Sequence, residues 1–364
     1  MTTIRTPSDH PATRFRPRAL LAVLLAAATG GCDIPTDAPL LETRWVVPSD
    51  ETRFGVAQLL PGDVRLAEDS TTFLVDFDPV SFSESLGNLC PACVPLNGLT
   101  APKPPFARGF QTAVVLPADV RALELAGGRV EVILTNGLGF DPLRPAPEVY
   151  GTLTVTVTDA SDGDVLGALP LDGRTTALPP GSILSLSVPL APGSVGGDLT
   201  TRVFVDSPLG DPVTIDVTEE VRASAAALDV QVTAVAAEVG GRRVGLDPVQ
   251  LDVADVDAEV RDRVTAGAFL LDVENPFGVG GDLTVTLSGG GLTPIVKPAR
   301  VGPEARSTTR VDFTLDELRS ILGRSGVVLS GEVTVDAEAG VATLLPGQEL
   351  RLAGKLDVTL EVGG

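Results

Sequence analysis

The sequence predicts an all-β protein made of two tandem antiparallel β-sandwiches. Three observations lead to this prediction. Aliphatic residues alternate with Thr and other polar residues over many short segments, glycines and prolines separate these segments, and five segments recur later in the same order. A period of two is typical of a strand with one buried face, and many short strands between frequent turns are typical of sandwiches.

The alternation is clearest in residues 151–158 (GTLTVTVT) and in residues 281–288 (GDLTVTLS). In the first segment Leu153, Val155 and Val157 share one face and threonines occupy the other. Burying three such side chains contributes roughly 5–9 kcal/mol, at about 1.5–3 kcal/mol each. We therefore expect these aliphatic residues to form core, and the pattern by itself indicates no ligand.

The recurring segments are separated by nearly constant distances along the chain, which indicates an internal repeat. The matched segments are 130–136 with 269–275, 151–158 with 281–288, 183–188 with 308–313, 201–206 with 331–336, and 228–232 with 356–360. Helix signals are few. Thr314 and Glu317, followed by Leu318 and Ile321, predict one short helix that opens with a capping box.

The N-terminal segment has the layout of a secretory signal. Three arginines in residues 14–18 precede an apolar run, 19–29, and Gly30-Gly31-Cys32 follows. The run is too short to span about 30 Å of hydrocarbon as a helix. The segment resembles a bacterial lipoprotein signal, in which Cys32 becomes the acylated first residue of the mature chain, although Thr29 stands where that family usually has Leu. The alternative is an ordinary signal peptide with Cys32 unmodified.

The predicted organisation has four parts. These are a signal peptide at 1–31, a tether leading into a first strand at 32–48, a first sandwich at 49–234, and a second sandwich at 235–364. Residues 79–109 are rich in Pro, Gly and Ser and form an elaborated loop of the first sandwich. Loops of this length in compact domains tend to be functional or mobile.

Cys90 and Cys93 lie in this loop, separated by Pro91 and Ala92. An exported chain meets an oxidising compartment, so a local disulfide is the favoured interpretation. A redox-active pair and a zinc site are the alternatives, but the flanking residues indicate a loop and two further zinc ligands are missing.

The second copy carries Asn275-Pro276-Phe277 at the end of one predicted strand, followed by the segments 281–287 and 308–313. In these features it resembles a WHy/LEA14-type domain, a small β-sandwich family associated with desiccation and stress responses. The resemblance covers roughly residues 257–364, and the first copy departs from it, with residues 136–140 (NGLGF) in place of Asn-Pro-Phe. The family has no catalytic residues, so the resemblance implies a sandwich with an interaction or protective role.

Composition excludes several classes of function. The chain has 27 basic and 48 acidic residues, a formal charge of −21, so we expect no nucleic-acid partner. The single histidine, His10, lies in the signal segment, which removes imidazole catalysis and His-ligated metal sites. The three lysines form no Ser-x-x-Lys pattern, and phosphate-binding and dinucleotide-binding motifs are absent. We therefore predict no enzyme activity, no catalytic residue and no cofactor.

Two segments are candidate sites. Asp159, Asp162 and Asp164 surround a glycine turn and could offer oxygens to Ca²⁺, but a solvated hairpin turn is the favoured interpretation, so no metal site is assigned. The first copy also carries an insertion at 141–149. We expect this insertion to be exposed and to contact a partner. The predicted contact residues are Phe140, Asp141, Leu143 and Arg144.

These observations predict a lipid-anchored extracytoplasmic protein that presents β-sandwich loops to an envelope protein, a glycan or an ion. It would lie on the periplasmic side of a bacterial membrane or at the cell surface. One alternative is a carrier of apolar molecules or lipids, which requires a cavity of a few hundred Å³ between the sheets. Another is a carboxylate-pair hydrolase, which requires two acids about 5–9 Å apart in a cleft.

Overall fold

Strands dominate residues 40–362, the part of the chain that the computed structural model describes. They form several antiparallel sheets with only three short helices among these residues, which confirms the predicted all-β sandwich class. None of the helices in residues 40–362 is long and apolar enough to cross a membrane. Residues 44–360 form one compact unit.

The strands and helices are numbered in chain order. The first half contains β1 (Leu41–Gly55), β2 (Val64–Leu66), β3 (Phe73–Val75), β4 (Val80–Ser85), α1 (Leu86–Leu89), β5 (Thr100–Pro102), β6 (Phe106–Val114), β7 (Val120–Asn136), β8 (Thr152–Asp159), β9 (Val165–Asp172), β10 (Ile183–Pro189), β11 (Gly193–Val195), β12 (Leu199–Ser207), β13 (Pro212–Thr214) and β14 (Glu220–Glu238). The second half contains β15 (Arg243–Leu251), α2 (Ala258–Asp262), β16 (Val264–Glu274), β17 (Gly281–Gly289), β18 (Ile295–Val301), β19 (Arg306–Asp312), α3 (Leu315–Ile321), β20 (Val327–Val335), β21 (Val341–Leu344) and β22 (Glu349–Val362). Short 3₁₀ turns lie at Val56–Gln58 and Pro91–Leu96.

Each sandwich consists of two sheets. In the first sandwich one sheet has the order β10-β7-β14-β3-β2, with β4, β11 and β21 pairing beside it, and the other has the order β6-β12-β8-β9. Phe82 of β4 and Phe110 of β6 lie with ring centroids 5.3 Å apart, so the two sheets meet through their side chains. In the second sandwich the orders are β1-β22-β16-β19 and β15-β20-β17-β18. A small ribbon of β5 and β13 lies apart from these sheets.

The repeated segments occupy equivalent places in the two sandwiches. The order β10-β7-β14 corresponds to β19-β16-β22, and β6-β12-β8-β9 corresponds to β15-β20-β17-β18. Buried and less buried residues alternate along β12 and β17, as expected from the period of two. The predicted short helix is also present as α3, with the capping box between Thr314 and Glu317.

The strand pairings correct the alignment of two of the repeated segments between the two copies. Val203 lies opposite Val155, whereas in the second copy Gly331, not Val333, lies opposite Val285. In the same way Ile183 pairs with Thr135, while Arg306, not Thr308, pairs with Glu274. Each correction is a shift of two residues. A shift of two keeps every side chain on the same face of its sheet, so the hydrophobic pattern alone could not detect it.

A buried asparagine is duplicated together with its hydrogen bonds. Asn136 Nδ2 donates to the carbonyl oxygens of Phe140 and Leu178, and Asn136 Oδ1 accepts from the N–H of Leu138. Asn275 makes the same three bonds, with Val279 O and Gly302 O as acceptors and the N–H of Phe277 as donor. The Asn-Pro-Phe motif and its divergent counterpart in the first copy therefore perform one structural task, which is to satisfy buried backbone groups where the strand ends.

Two segments cross the predicted domain boundaries. The strand β1 pairs with β22, so residues 49–55 belong to a sheet of the second sandwich. The strand β21, residues 341–344, pairs with residues 235–238 at the end of β14. The division between residues 234 and 235 remains a prediction. The two sandwiches exchange a strand across it.

The compact unit begins and ends at the same end of the second sandwich. Arg44 in β1 is hydrogen-bonded to Asp357 in β22. From there β1 runs to the junction between the sandwiches, where the N–H of Val56 donates to Gln348 O at 2.9 Å. The other end of the unit is formed by three segments of the first sandwich, 86–105, 137–151 and 207–219. We refer to these three segments as the cap.

Candidate functional site

The predicted lipidation residue, Cys32, and the signal peptide at 1–31 lie outside the described residues. The tether that would follow Cys32 lies largely outside them as well. Residues 40–362 therefore bear on the anchor only through the position of Arg44, where the compact unit begins.

The cap is held together by backbone hydrogen bonds between its three segments. The N–H groups of Gly87 and Gly98 donate to the carbonyl oxygens of Val217 and Ile215, and the N–H of Asp211 donates to Pro145 O. Cys90 and Cys93 form the predicted disulfide inside the cap, and both are fully buried. The buried disulfide joins α1 to the following 3₁₀ turn. This position supports a structural role for the cysteine pair.

The structure corrects the predicted exposure of two of the four contact residues, while Arg144, Pro147 and Glu148 of the insertion are exposed. Phe140 and Leu143 are buried in the core and cannot present their side chains to another molecule. Asp141 accepts hydrogen bonds from the N–H groups of Leu143, Arg144 and Leu178, so its carboxylate holds the chain around it. Arg144 is exposed, yet its Nε donates to Gly173 O at 2.6 Å. Pro142, Leu143 and Pro145 of this segment are buried, whereas Pro147 is exposed.

Lys103 is a residue that no sequence pattern singled out. Its side chain is fully buried, and Nζ donates to Ser207 Oγ at 2.7 Å and to Ser207 O at 3.2 Å. The same nitrogen lies 4.8 Å from the ring centroid of Phe106 and 5.5 Å from that of Phe140. Burial lowers the pKa of Lys103 to about 8, and the negative charge of Asp206 partly opposes this change.

The contact between Lys103 and Ser207 joins the three cap segments. Ser207 Oγ donates to Pro142 O at 2.6 Å while accepting from the lysine. A nucleophilic serine would instead have to give its proton to the amine and face a substrate. Because both side chains are fully buried, the arrangement is that of a structural contact. Lys103 lies between Pro102 and Pro104, in a segment without periodicity, so its burial could not be predicted.

The acidic turn after β8 directs its first carboxylate inward. Asp159 accepts hydrogen bonds from Ser161 N at 3.0 Å, from Ser161 Oγ and from Gly196 N at 2.9 Å. Burial acts to raise the pKa of Asp159, but these hydrogen bonds outweigh it and the pKa is lowered. Asp162 accepts from the N–H of Asp164. Within residues 40–362, no three His, Cys, Asp or Glu side chains gather where they could hold a metal ion.

Between the sheets of the second sandwich lies a cavity of about 20 Å³. Its lining comes from both sheets and consists of Thr52, Leu246, Asp247, Leu271, Leu283, Val285, Leu329, Ser330 and Leu352. A cavity of this size holds about one water molecule. The carrier hypothesis required a few hundred Å³, and this cavity gives it no support.

The outer face of the larger sheet in the first sandwich carries an open groove of about 350 Å³. Its lining is Ser81, Phe82, Ser83, Ile133, Thr135, Arg222, Ala223 and Ser224. Cross-strand pairing aligns two outward rows over β4, β14, β7 and β10. These rows are Ser83–Arg222–Thr135–Ile183 and Ser81–Ser224–Ile133–Ser185. We call these eight residues the hydroxyl face, because five of them carry hydroxyl groups and one is charged.

The equivalent face of the second sandwich is charged. Its rows over β22, β16 and β19 are Arg351–Glu274–Arg306, Ala353–Asp272–Thr308 and Lys355–Leu270–Arg310. Lys355 Nζ donates to Asp272 at 2.6 Å, and Thr308 Oγ1 donates to the same carboxylate. The hydrogen bond from Lys355 is the largest cause of the lowered pKa of Asp272. Asp272 occupies the position that Ile133 holds in the first copy. At these rows one copy of the duplicated sheet carries paired charges, and the other carries mostly hydroxyl and aliphatic groups, with the Arg222–Glu220 pair beside them.

No protein-family model matches the chain, and no curated protein matches it. Among solved structures, the chain is similar to a protein of Parabacteroides distasonis whose secretion is inferred. The TM-score is 0.34, at 10% identity, over 87% of this chain and 99% of that one. It is also similar to a structure of the Gx strain of infectious bursal disease virus, with a TM-score of 0.19 at 14% identity, over 93% of this chain and 77% of that one. Scores this low carry no argument about function.

Proposed function

We propose that this chain is an extracytoplasmic binding protein, tethered to a bacterial membrane through Cys32, that holds its first sandwich away from the bilayer. The observation that carries the proposal is the direction of the chain. The compact unit starts at Arg44, beside Asp357, at the end of the second sandwich that is farthest from the junction. A lipid attached upstream of Arg44 therefore leaves the first sandwich at the membrane-distal end.

The charge of the chain favours a tether over adsorption to the lipid surface. A formal charge of −21 is repelled by anionic headgroups, so the folded unit gains little by lying on the bilayer. Acyl chains contribute about 0.8 kcal/mol for each buried CH₂, and two signals or chains are needed for stable attachment. Acylation of Cys32 would supply this energy without any basic patch on the protein.

A binding role fits the surface better than catalysis. The buried lysine and serine of the cap face each other rather than a cleft, and the predicted Ca²⁺ ligand Asp159 is turned into its own loop. The surfaces that the first sandwich offers to solvent include the exposed apolar side chains of the cap, Val94, Leu99 and Leu209, and the hydroxyl face. We propose that these surfaces contact an envelope protein or a glycan.

The anchor is tested by expressing the full chain and its Cys32→Ser variant in a diderm bacterial host and separating membrane from soluble extracytoplasmic fractions. We expect the parent chain in the membrane fraction, with an intact mass that includes acyl groups on Cys32, and the variant in the soluble fraction. A Cys90→Ser/Cys93→Ser double variant is the matched control and should stay with the membrane. A processed chain with a free Cys32 thiol, or a membrane-bound Cys32→Ser variant, would contradict the proposal.

A further inference from the structure

We propose that the cap opens and closes as one unit, and that the charge on the buried side chain of Lys103 sets how often it opens. This inference goes beyond the proposed binding role, since it concerns the cap itself and applies equally to a chain without an anchor. It starts from the position of one amine. The Lys103 side chain is fully buried where the three segments of the cap meet.

One chain of hydrogen bonds joins the three segments at this point. Lys103, in segment 86–105, donates to Ser207 Oγ at 2.7 Å, and Ser207 Oγ donates to Pro142 O at 2.6 Å. Ser207 begins segment 207–219, and Pro142 belongs to segment 137–151. The backbone of Lys103 is also paired with Gly210 and Asp211. We therefore expect the amine to reach water only when these segments separate.

No carboxylate pairs with the amine. The ionisable side chains on the elements packed against Lys103 are those of Asp206 on β12, Asp141 on the insertion, Asp211 beside the lysine and Arg108 on β6. Among residues 40–362 none of them forms an ion pair with Lys103. Asp206, Asp211 and Arg108 are exposed, and the carboxylate of Asp141 is engaged by backbone N–H groups. The protonated lysine is thus a buried charge without a counterion.

Two aromatic rings stabilise this charge only in part. The amine lies 4.8 Å from the ring centroid of Phe106 and 5.5 Å from that of Phe140. Attraction to a ring face is weaker than the hydration that an ammonium group loses on burial. The protonated lysine therefore favours an open cap, in which water reaches the amine, and the neutral lysine favours the closed cap.

The direction of the pH dependence follows. Burial lowers the pKa of Lys103 from 10.5 to about 8 in the closed cap, and access to water returns it towards its ordinary value in the open cap. Between these two values a falling pH favours the open state. Below about pH 8 both states are protonated and the balance no longer changes. The cap should therefore open most readily near neutral pH and close as the pH rises.

Opening uncovers groups that the closed cap hides. The Cys90–Cys93 disulfide is fully buried, and so are Phe140 and Leu143. The backbone hydrogen bonds that close the cap join its three segments to one another, so it can open while the sheets beneath it stay paired. The disulfide reports on this motion, because a reductant reaches it only in the open state.

The test measures how fast a phosphine reduces the disulfide in the full chain with Cys32→Ser, which leaves Cys90 and Cys93 as its only cysteines. At each pH this rate is divided by that of a disulfide-bonded peptide of residues 86–97, which cancels the pH dependence of the reagent. We expect the ratio to be at least about tenfold higher at about pH 7 than at about pH 10. Lys103→Met should remove this dependence. Lys355→Met, at an exposed lysine of the second sandwich, should preserve it.

A further variant separates opening of the cap from global unfolding. Leu352 is buried in the second sandwich, so Leu352→Ala should lower the global stability, measured by urea denaturation, and leave the reduction ratio unchanged. The proposal is overturned if the folded chain is not reduced at any pH or if the ratio is the same at both pH values. It is also overturned if Lys103→Met keeps the parent's pH dependence, or if Leu352→Ala speeds reduction in proportion to its loss of stability.

Discussion

The two sandwiches have corresponding strand orders but differ at two places. One is the outer face of the sheet that contains β7 or β16, and the other is the segment that follows the buried asparagine at the end of that strand. The second sandwich covers its face with ion pairs and closes the strand end with a short Asn-Pro-Phe turn. The first sandwich exposes hydroxyls and isoleucines on its face and builds the cap, with a disulfide and a buried lysine, at the strand end. Duplication preserved the core and its buried asparagine, and divergence took place where side chains or loops meet solvent.

The largest expected effect tests what the copies share. Asn136→Ala and Asn275→Ala should each lower the free energy of unfolding by about 3 kcal/mol, because each leaves three buried or part-buried backbone groups without partners. Urea denaturation followed by circular dichroism measures this. Asn88→Ala, an exposed asparagine in the first sandwich, is the control and should change little. If only one of the two variants is destabilised, the two asparagines are not equivalent.

The next effect is confined to the first sandwich and depends on pH. The pKa of Lys103 is lowered from 10.5 to about 8 by burial, so the folded state gives up this proton more readily than the unfolded state. The contribution of Lys103 to the free energy of unfolding is lowest below about pH 8. It rises between about pH 8 and pH 10.5, by at most about 3 kcal/mol. Lys103→Met should therefore stabilise the protein at pH 7, by about 2 kcal/mol, and abolish this pH dependence.

The measurement is the free energy of unfolding of the parent chain and of Lys103→Met at about pH 7 and about pH 10, on either side of the pKa of the buried amine. Lys355→Met provides the same substitution at an exposed lysine of the second sandwich, where the dependence should persist. A parent chain and a Lys103→Met variant with parallel pH profiles would show that the buried amine does not titrate in this range.

A smaller effect concerns the core of the first sandwich. Thr201 is fully buried on β12, and its Oγ1 has no hydrogen-bond partner among the described residues. Valine has nearly the same shape without the hydroxyl, so Thr201→Val should raise the free energy of unfolding by about 1 kcal/mol. Thr200→Val, on the opposite face of the same strand, should have almost no effect. Destabilisation by Thr201→Val would mean that the hydroxyl is hydrogen-bonded in solution.

The smallest effect concerns the charged face. Lys355 and Asp272 are 47% and 43% exposed, and exposed pairs contribute little. Lys355→Gln should lower stability by at most about 0.5 kcal/mol at low salt, and by less in about 1 M NaCl because salt screens the pair. Thermal unfolding at both salt concentrations measures this. A loss above about 1 kcal/mol that is insensitive to salt would show that the charged face is more than a solvated surface.

Local patterns were enough to predict much of the fold. The alternation in residues 151–158 and its recurrence at 281–288 predicted strands, buried faces and a duplicated unit, because the period of two directly reflects the geometry of a pleated strand. The capping box at Thr314 predicted α3 because its hydrogen bonds join residues three apart. The disulfide joins neighbouring residues in the same way.

Contacts between distant segments were beyond the reach of the sequence. The exposure expected for Phe140 and Leu143 was wrong, because an insertion is exposed or buried according to what packs against it, and here Ser207 and Asp211 are hydrogen-bonded to it at Pro142 O and Pro145 O. The two-residue shifts in register, the pairing of β1 with the last strand and the meeting of Lys103 with Ser207 have the same origin. By itself the sequence determined which residues are strands and which faces are apolar, since both follow from periodicity along the chain. The tertiary structure alone decided which strands pair, which lysine is buried and which face remains open, because these depend on residues that lie tens or hundreds of positions apart.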